Sequence, residues 1–200
     1  MVDDVAALHA FIGNRPFATI GVVVESRVVL AYAPVVLDAG GALGTVRFHL
    51  AKNNPVAAVA DGAPMQISFM GPDAYVSPDW YVSKGLVPTW NYMAVEGEGW
   101  ARVLPDLELQ ALLVDLSAEQ ERQLLPKKPW TVDKLPADRL AALTNAIVGF
   151  SVMFEKLEGK FKLSQDKKPE DIEGVIAGLE ARGDAASLAV AKVMRSTRML

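Results

Sequence analysis

The chain has 200 residues, of which 51% are hydrophobic, and this is enough for one good hydrophobic core. It has no cysteine and only two distant histidines, His9 and His49, which excludes disulfides and thiolate metal sites and disfavours metal catalysis. The net charge of −4 excludes a broad basic surface for nucleic acid, and without a long apolar run or a signal-peptide pattern we expect a cytoplasmic protein.

The first part of the chain is predicted to be rich in β-structure. Asp3 or Asp4 can cap a short helix that ends at Gly13-Asn14. Residues 16–37 are predicted as a hairpin with a polar turn at "ESR", and "TVRFHLA" as a strand with one buried and one polar face. The loop "DAGGALG" lacks the spacing of a phosphate-binding loop and is interpreted as a hairpin loop. "NNPVAAVAD" is predicted as a short helix, and "MQISFMG" as the next strand.

The second part adds helices to this sheet. "TWNYMAVEGEGWARVL" is predicted as a strand with Gly97 and Gly99 on its core face, where small residues allow another backbone to approach closely. An amphipathic helix starts at Asp106, and the 126–136 linker separates it from a second helix, "PADRLAALTNAIVG". "FSVMFEKLEGKFKLS" is predicted as a strand, and helices over about 169–182 and 185–197 follow it. The pattern predicts an α+β fold, mainly antiparallel β.

Two stretches carry candidate chemistry. In "HLAKNNP", a strand with His49 runs into Lys52, two asparagines and a proline, which suits an anion site, although Asn54 could equally serve as a simple helix cap beside a solvated lysine. "SPDWYVSKGLVPTWNY" is rich in tryptophan and tyrosine, which serve either as core or dimer packing or as the wall of a planar ligand site. Together, a phosphate seat and an aromatic wall indicate a phosphorylated planar cofactor.

Three motifs carry a family resemblance. "HLAKNNP", "GPDAYVSPDWYVSKGLVPTWNY" and "IVGFSVMFEKLEGKFKLSQ" occur in order and resemble the PaiB-type FMN-binding negative transcriptional regulator family. The resemblance implies an FMN-binding split β-barrel with additional C-terminal helices, which forms a homodimer with flavin sites at the subunit interface. Residues 1–105 would form the split-barrel core. Residues 106–200 would add the helical insertion, a closing strand over about 148–163 and the C-terminal helix pair, in one compact unit with the core.

The resemblance also implies a set of cofactor-binding residues. Tyr32 and Ala33 would edge the isoalloxazine ring of FMN. The phosphate and ribityl groups would be held by His49, Lys52, Asn53 and Asn54. The site would be closed, in part from the second subunit, by Ser77, Lys84, Thr89, Trp90, Asn91, Lys162, Ser164 and Gln165. Tyr32, Met70 and Glu96 differ from the family pattern, which has His, Gln and His at these positions.

Two functions remain open from the sequence. The chain is either a flavin-binding regulator without turnover or an FMN-dependent oxidoreductase or flavin reductase that uses NAD(P)H, and no residue has the pattern of a catalytic acid or base. The best candidate for a DNA contact is the C-terminal helix pair, with Lys192, Arg195 and Arg198 on the last helix. We expect these cations to be solvated instead, because recognition helices usually lie in basic domains.

Overall fold

The computed structural model describes residues 2–58 and 61–197. Within these ranges the helices are α1 (Val5–Asn14), α2 (Asp106–Arg122), α3 (Ala137–Thr144), α4 (Pro169–Arg182) and α5 (Ala185–Thr197). The strands are β1 (Phe17–Val24), β2 (Arg27–Pro34), β3 (Val36–Asp38), β4 (Thr45–Ala51), β5 (Pro64–Val76), β6 (Thr89–Val103) and β7 (Ile147–Lys162). Short 3-10 turns occur at Pro78–Trp80 and Val132–Lys134.

The described strands form one antiparallel sheet in the order β2-β1-β5-β6-β7-β4-β3. The prediction of an α+β fold that is mainly antiparallel is therefore confirmed. The chain folds into two compact units. Among the described residues, we call 3–58, 61–69 and 95–158 the major unit, and 2, 70–94 and 159–197 the minor unit. Strands β5, β6 and β7 contribute residues to both units. The predicted boundary at residue 105, with both parts in one compact unit, stays a prediction.

The first hairpin of the major unit is shorter than predicted. Its turn lies at Glu25 and Ser26, which both adopt positive φ. From the turn outward, β1 and β2 pair continuously, with Val24 opposite Arg27 at one end and Phe17 opposite Pro34 at the other. The predicted second strand does not continue to residue 37. Proline has no N–H group for the ladder, and after Pro34 the chain changes partner. Val36–Asp38 forms β3, which pairs with β4 through "DAGGALG", the predicted hairpin loop.

Strand β4 has the predicted alternation of a core face and a polar face, and the polar face is partly covered. Val46, Phe48 and Leu50 are buried as predicted. On the other face, Arg47 donates to Asp38 (2.5 Å) and to Asp115 of α2 (2.8 Å), and only 16% of its side chain is exposed. Helix α2 also packs Leu109 and Leu112 against an apolar cluster beside this face. The alternation of β4 does not show that α2 covers this polar face, because the position of α2 is a tertiary feature.

The two core-face glycines of β6 allow close contacts, as predicted. A Cβ at Gly97 would overlap the ring of Phe154, and a Cβ at Gly99 would overlap the carbonyl oxygen of Met153 on β7. Other bounds differ from the predictions. Strand β5 continues through "GPDAYV" to Val76, β7 starts at Ile147, and α3 ends at Thr144.

The minor unit holds its helix α4 against an aromatic residue. A Cβ at Gly174 or Gly178 would overlap the backbone oxygen or the indole ring of Trp80, so both glycines allow this contact. The carboxylate of Asp171 accepts hydrogen bonds from the Ser83 backbone N–H (2.8 Å) and hydroxyl (2.7 Å). The predicted bounds of α4 and α5 are confirmed, and α4 is capped by Gly183, which adopts the left-handed conformation that favours glycine.

Candidate functional site

The predicted helix after β4 is wrong. Residues 52–58 form hydrogen-bonded turns, and Val59 and Ala60 of the prediction lie outside the described residues. Asn54 does act as a local cap, because its Oδ1 accepts from the Val56 N–H at 2.9 Å. The N–H groups of Lys52, Asn54 and Ala57 donate to backbone carbonyls as well. The row of free N–H groups expected of a helix start is therefore absent from the described part of this segment, whereas Lys52 and Asn53 are exposed and available as side chains.

His49 lies on β4 opposite Gly149 of β7. Its Nδ1 atom is buried and has no hydrogen-bond partner among the described residues. Burial lowers the pKa of the imidazole below its usual value, so the neutral form is favoured. His49 thus offers a polar ring nitrogen at the end of β4 rather than a positive charge. The other histidine, His9, bonds to the Leu43 carbonyl oxygen at 2.9 Å and supports the β3–β4 loop.

This state of His49 predicts a pH-dependent stability. The folded-state pKa of His49 lies below the unfolded value of about 6.5, so His49 is neutral in both states above that pH and the chain has its full stability there. Below that pH the unfolded chain binds a proton at His49 more readily than the folded chain does. The free energy of unfolding therefore decreases as the pH falls towards the lowered pKa. We therefore expect the urea midpoint of the chain to decrease below about pH 6.5, and the replacement His49→Gln to remove this part of the slope. His9→Gln is the matched control, and an unchanged slope in His49→Gln would contradict the assignment.

The major unit carries an open groove of about 570 Å³ on the outer side of its sheet. This volume lies within the usual range of ligand pockets, about 300–1,000 Å³. The wall is mostly apolar, with Val23, Val28 and Leu30 of the first hairpin and Trp100 of β6. Thr19, Gln66 and Ser68 place polar groups along it. The groove therefore has the size and the mixed lining that a planar cofactor requires.

Neither residue of the predicted ring-binding pair lines this groove, but Tyr32 lies on the same face of the hairpin. Tyr32 pairs directly with Thr19, a groove residue, and its side chain is 61% exposed on the same outer face. Ala33 is 2% exposed on the opposite side of β2, so only its backbone could edge a ligand. Sequence reasoning missed Thr19, Gln66, Ser68 and Trp100. The available signal was the apolar outer face of the hairpin, where Val28, Leu30 and Tyr32 alternate with other residues.

The ends of the second and third family motifs, "VPTWNY" and "KLSQ", meet in the minor unit. Lys162 Nζ donates to Thr89 Oγ1 at 2.5 Å. Asn91 is fully buried and exchanges hydrogen bonds with Ser164 at 3.0 and 3.1 Å, and its Nδ2 also lies 3.3 Å from Met194 Sδ. Gln165 joins the same turn by accepting from the Leu163 N–H and donating to the Phe161 carbonyl. These polar side chains therefore already bond to one another or to the backbone.

The aromatic stretch does not form one continuous wall. Trp80 packs on α4, and Tyr81 is 7% exposed, so both have packing roles in the minor unit. Trp90 is 52% exposed and meets Tyr75 edge-on, with ring centroids 6.2 Å apart. Ser77 accepts from the Asp79 N–H at the start of the 3-10 turn, and Lys84 is exposed. The contact of these residues with FMN stays a prediction.

Comparison with known proteins identifies the family. Residues 1–156 match the model of the family described as "Putative FMN-binding domain". The chain belongs to this family. An uncharacterized family relative from Emericella nidulans is 29% identical over 232 residues, which covers 96% of this chain and 92% of its own length. "Protease synthase and sporulation protein PAI 2" of Bacillus subtilis is 28% identical over 194 residues, with the same two coverages.

A solved structure supports the same fold. The FAD and heme binding protein of Mycobacterium smegmatis superimposes with a TM-score of 0.57 at 16% sequence identity, covering 84% of this chain and 76% of that chain. The split-barrel fold and the PaiB-type resemblance are therefore confirmed, and FMN is the cofactor that the family match assigns to the chain. The size and the mixed lining of the groove fit such a cofactor, whereas His49, Lys52, Asn53 and Asn54 are not among the residues that line it. Within the described residues, no helix is both long and apolar enough to cross a membrane.

Proposed function

We propose that this chain is an FMN-binding regulator that acts as a cytoplasmic homodimer without turnover. The groove of the major unit carries the FMN part of the proposal, because the described residues there form a ring-sized, mostly apolar wall with polar groups along it. The regulatory part rests on the PaiB-type relationship. The name of the Bacillus subtilis relative refers to protease synthesis and sporulation, which favours a role in cellular control.

In this proposal the isoalloxazine ring lies in the groove, with Tyr32 and the backbone of Ala33 at its edge. Lys52, Asn53 and Asn54 hold the phosphate through their side chains, and the neutral His49 provides a hydrogen bond near the ribityl chain. Of the remaining predicted residues, some contact FMN in part from the second subunit, namely Ser77, Lys84, Thr89, Trp90, Lys162 and Gln165. The buried Asn91 and Ser164 support this surface from within the minor unit. FMN, when bound, supplies a redox-active ring, and these residues bind and orient it.

Removal of the Lys52 side chain tests the phosphate seat. A hydrogen bond to a charged group contributes about 1.5–3 kcal/mol, so Lys52→Ala should lower FMN affinity roughly tenfold to hundredfold. Riboflavin has no phosphate, and its affinity should hardly change. Flavin fluorescence titrations of both ligands measure this, with the exposed Lys128→Ala as a matched control. Equal losses for both ligands would refute the phosphate role of Lys52, and no FMN binding by the unmodified chain would refute the proposed function.

The homodimer is supported by the outer face of the major unit. Val23, Val28, Leu30 and Tyr32 are between 49% and 72% exposed on this side of the first hairpin. A contiguous exposed apolar face of this kind is typical of an interaction surface. We expect sedimentation to show a dimer at micromolar concentration. A stable monomer would contradict this part of the proposal.

The oxidoreductase remains the second candidate because the groove is open. Residues such as Val28, which is 72% exposed, leave space at the groove for a second planar ring such as a nicotinamide. NAD(P)H oxidation by the FMN-loaded chain distinguishes the two functions. A rate above that of free FMN would favour the reductase, and an equal rate would favour the regulator without turnover.

Direct DNA binding is not part of the proposal. Arg195 donates twice to Glu180, both at 2.9 Å, and lies 3.6 Å from Glu173, so its charge is already compensated. Arg198 lies outside the described residues. We therefore propose that regulation acts through a partner protein or a small molecule. Tight, specific binding of the chain to a promoter fragment at physiological salt would overturn this.

A further inference from the structure

The major unit contains a second cleft, of about 370 Å³, that none of the roles above uses. One wall of the cleft is the C-terminal half of α2, and the other comes from the segments around the end of α1 and the start of β3. All lining residues belong to this unit, and none of them is a predicted FMN residue. The volume lies within the usual range of ligand pockets, about 300–1,000 Å³. The cleft is therefore large enough for a small organic ligand.

The wall opposite α2 is apolar. Ile12 and Val35 are fully buried there, and Pro16 and Leu37 extend the same wall. Gly13 also lines the cleft, and a Cβ at this position would meet no atom within 4 Å, so the wall leaves space there. Burial of aliphatic groups against such a surface is favourable. This wall therefore suits the aliphatic part of a ligand.

The wall formed by α2 is polar. It consists of Glu119, Gln120, Arg122 and Gln123, whose spacings of three and four make them neighbours on the helix surface. Their side chains have no hydrogen bond to any other residue that the structure describes. A few polar groups beside an apolar wall are what orients a ligand in a small-molecule site. These four side chains are available for that role.

The two charged groups of this wall have opposite signs. Glu119 and Arg122 interact electrostatically, but they form no direct ion pair with each other. Arg47, the other cation that acts on Glu119, already bonds to Asp38 and Asp115. Partial burial raises the pKa of the Glu119 carboxyl group, because its charged form is incompletely solvated, and an ammonium group would stabilise that form. The Arg122 guanidinium can bind a carboxylate through two parallel hydrogen bonds. The cleft thus offers one partner for a cation and one for an anion on the same wall.

We propose that this cleft binds an aliphatic α-amino acid, with its ammonium group at Glu119 and its carboxylate at Arg122. The aliphatic side chain of the ligand lies against Ile12, Val35 and Leu37. An amino acid would be the small molecule to which the proposed regulator responds. Only this biological meaning rests on the proposed function, because the cleft itself contains no predicted FMN residue.

Leucine and two analogues that each lack one charge test the proposal. The analogues are isopentylamine, which lacks the carboxylate, and 4-methylpentanoate, which lacks the ammonium group. We expect leucine at millimolar concentration to raise the melting temperature of the full chain, because only leucine can use both charged partners. Each analogue loses a hydrogen bond between charged groups and should bind roughly tenfold more weakly. Glycine, which lacks the aliphatic side chain, should also have little effect.

Replacement of the two charged side chains should change the preference among these ligands. Arg122→Met should weaken leucine binding roughly tenfold and leave isopentylamine binding unchanged, so that these two ligands bind alike. Glu119→Gln should have the converse effect, with leucine and 4-methylpentanoate then binding alike. The exposed Arg139→Met and Glu170→Gln are the matched controls and should keep the leucine preference of the unmodified chain.

Several results would overturn the proposal. These are no effect of leucine, equal effects of leucine and both analogues, or an unchanged preference in both Glu119→Gln and Arg122→Met, each shown to be folded by circular dichroism. Arg122 also borders a neighbouring groove that contains Trp130. Trp130→Leu alters that groove and should leave leucine binding unchanged. Weaker leucine binding by a folded Trp130→Leu variant would place the ligand in the neighbouring groove and refute the cleft as its site.

An FMN titration in the presence of leucine separates this site from the proposed flavin site. We expect the two ligands to bind independently. Competition between them would mean that leucine occupies the flavin site, and this would refute a separate amino-acid site. A chain that binds leucine but not FMN would refute the proposed function and leave the amino-acid site in place.

Discussion

The replacement Gly99→Ala is expected to destabilise the chain by about 3 kcal/mol, the upper part of the range for overpacking. The added Cβ would overlap the Met153 carbonyl oxygen and lie 2.9 Å from Val152 Cγ1. A backbone oxygen cannot rotate away as the end of a long side chain can, so β6 and β7 would have to separate. Urea unfolding followed by circular dichroism should show a clearly lower midpoint.

Gly13→Ala is the matched control for this prediction. Gly13 lies in α1, and a Cβ there has no atom within 4 Å. Alanine is favoured over glycine in a helix, so this variant should gain about 0.5–1 kcal/mol. Equal effects of the two replacements would mean that β6 and β7 do not approach closely at Gly99.

The replacement Asn91→Ala is expected to have the second largest effect, also about 3 kcal/mol. The side chain is fully buried and bonds to Ser164, whose hydroxyl would lose its partner in a place that is only 4% exposed. The contact with Met194 of α5 would be lost as well. Urea unfolding measures the loss, and the exposed Asn53→Ala should be neutral within about 0.5 kcal/mol.

A double-mutant cycle with Ser164→Ala distinguishes the loss of the Asn91–Ser164 hydrogen bonds from the cost of the cavity that Asn91→Ala leaves. Removal of both partners leaves no unpaired polar group, so the double variant should be less destabilised than the sum of the single variants by about 1 kcal/mol. Additive losses would contradict a direct Asn91–Ser164 interaction.

Much of the fold could be predicted because its signals are local. The bounds of α4 and α5 were predicted correctly, since Pro169 can start a helix and Gly183 can adopt the left-handed conformation that ends one. The core face of β6 was also predicted, because residue alternation decides which side chains share a face. The helix predicted after β4 was wrong, because the side chain of Asn54 caps a turn as readily as it caps a helix.

The candidate site could be predicted only in part. The motifs predicted FMN as the cofactor and a set of binding residues. They did not predict that Asn91 and Ser164 bond to each other, because the two residues are 73 positions apart and no spacing rule relates them. Neither does the sequence of α4 show that Trp80 occupies the space above Gly174 and Gly178. The groove was missed because its wall combines residues of β1, β2, β5 and β6, whose neighbourhood depends on the strand order.

The contact between Trp80 and α4 has a consequence for the order of folding. Gly174 and Gly178 each weaken a 14-residue helix by about 1 kcal/mol, and an isolated helix of this length is already marginal in water. Helix α4 should therefore acquire stable structure only after the segment with Trp80 has reached it. Native-state hydrogen exchange would then show α4 and residues 77–83 opening together, as one cooperative unit with a shared free energy.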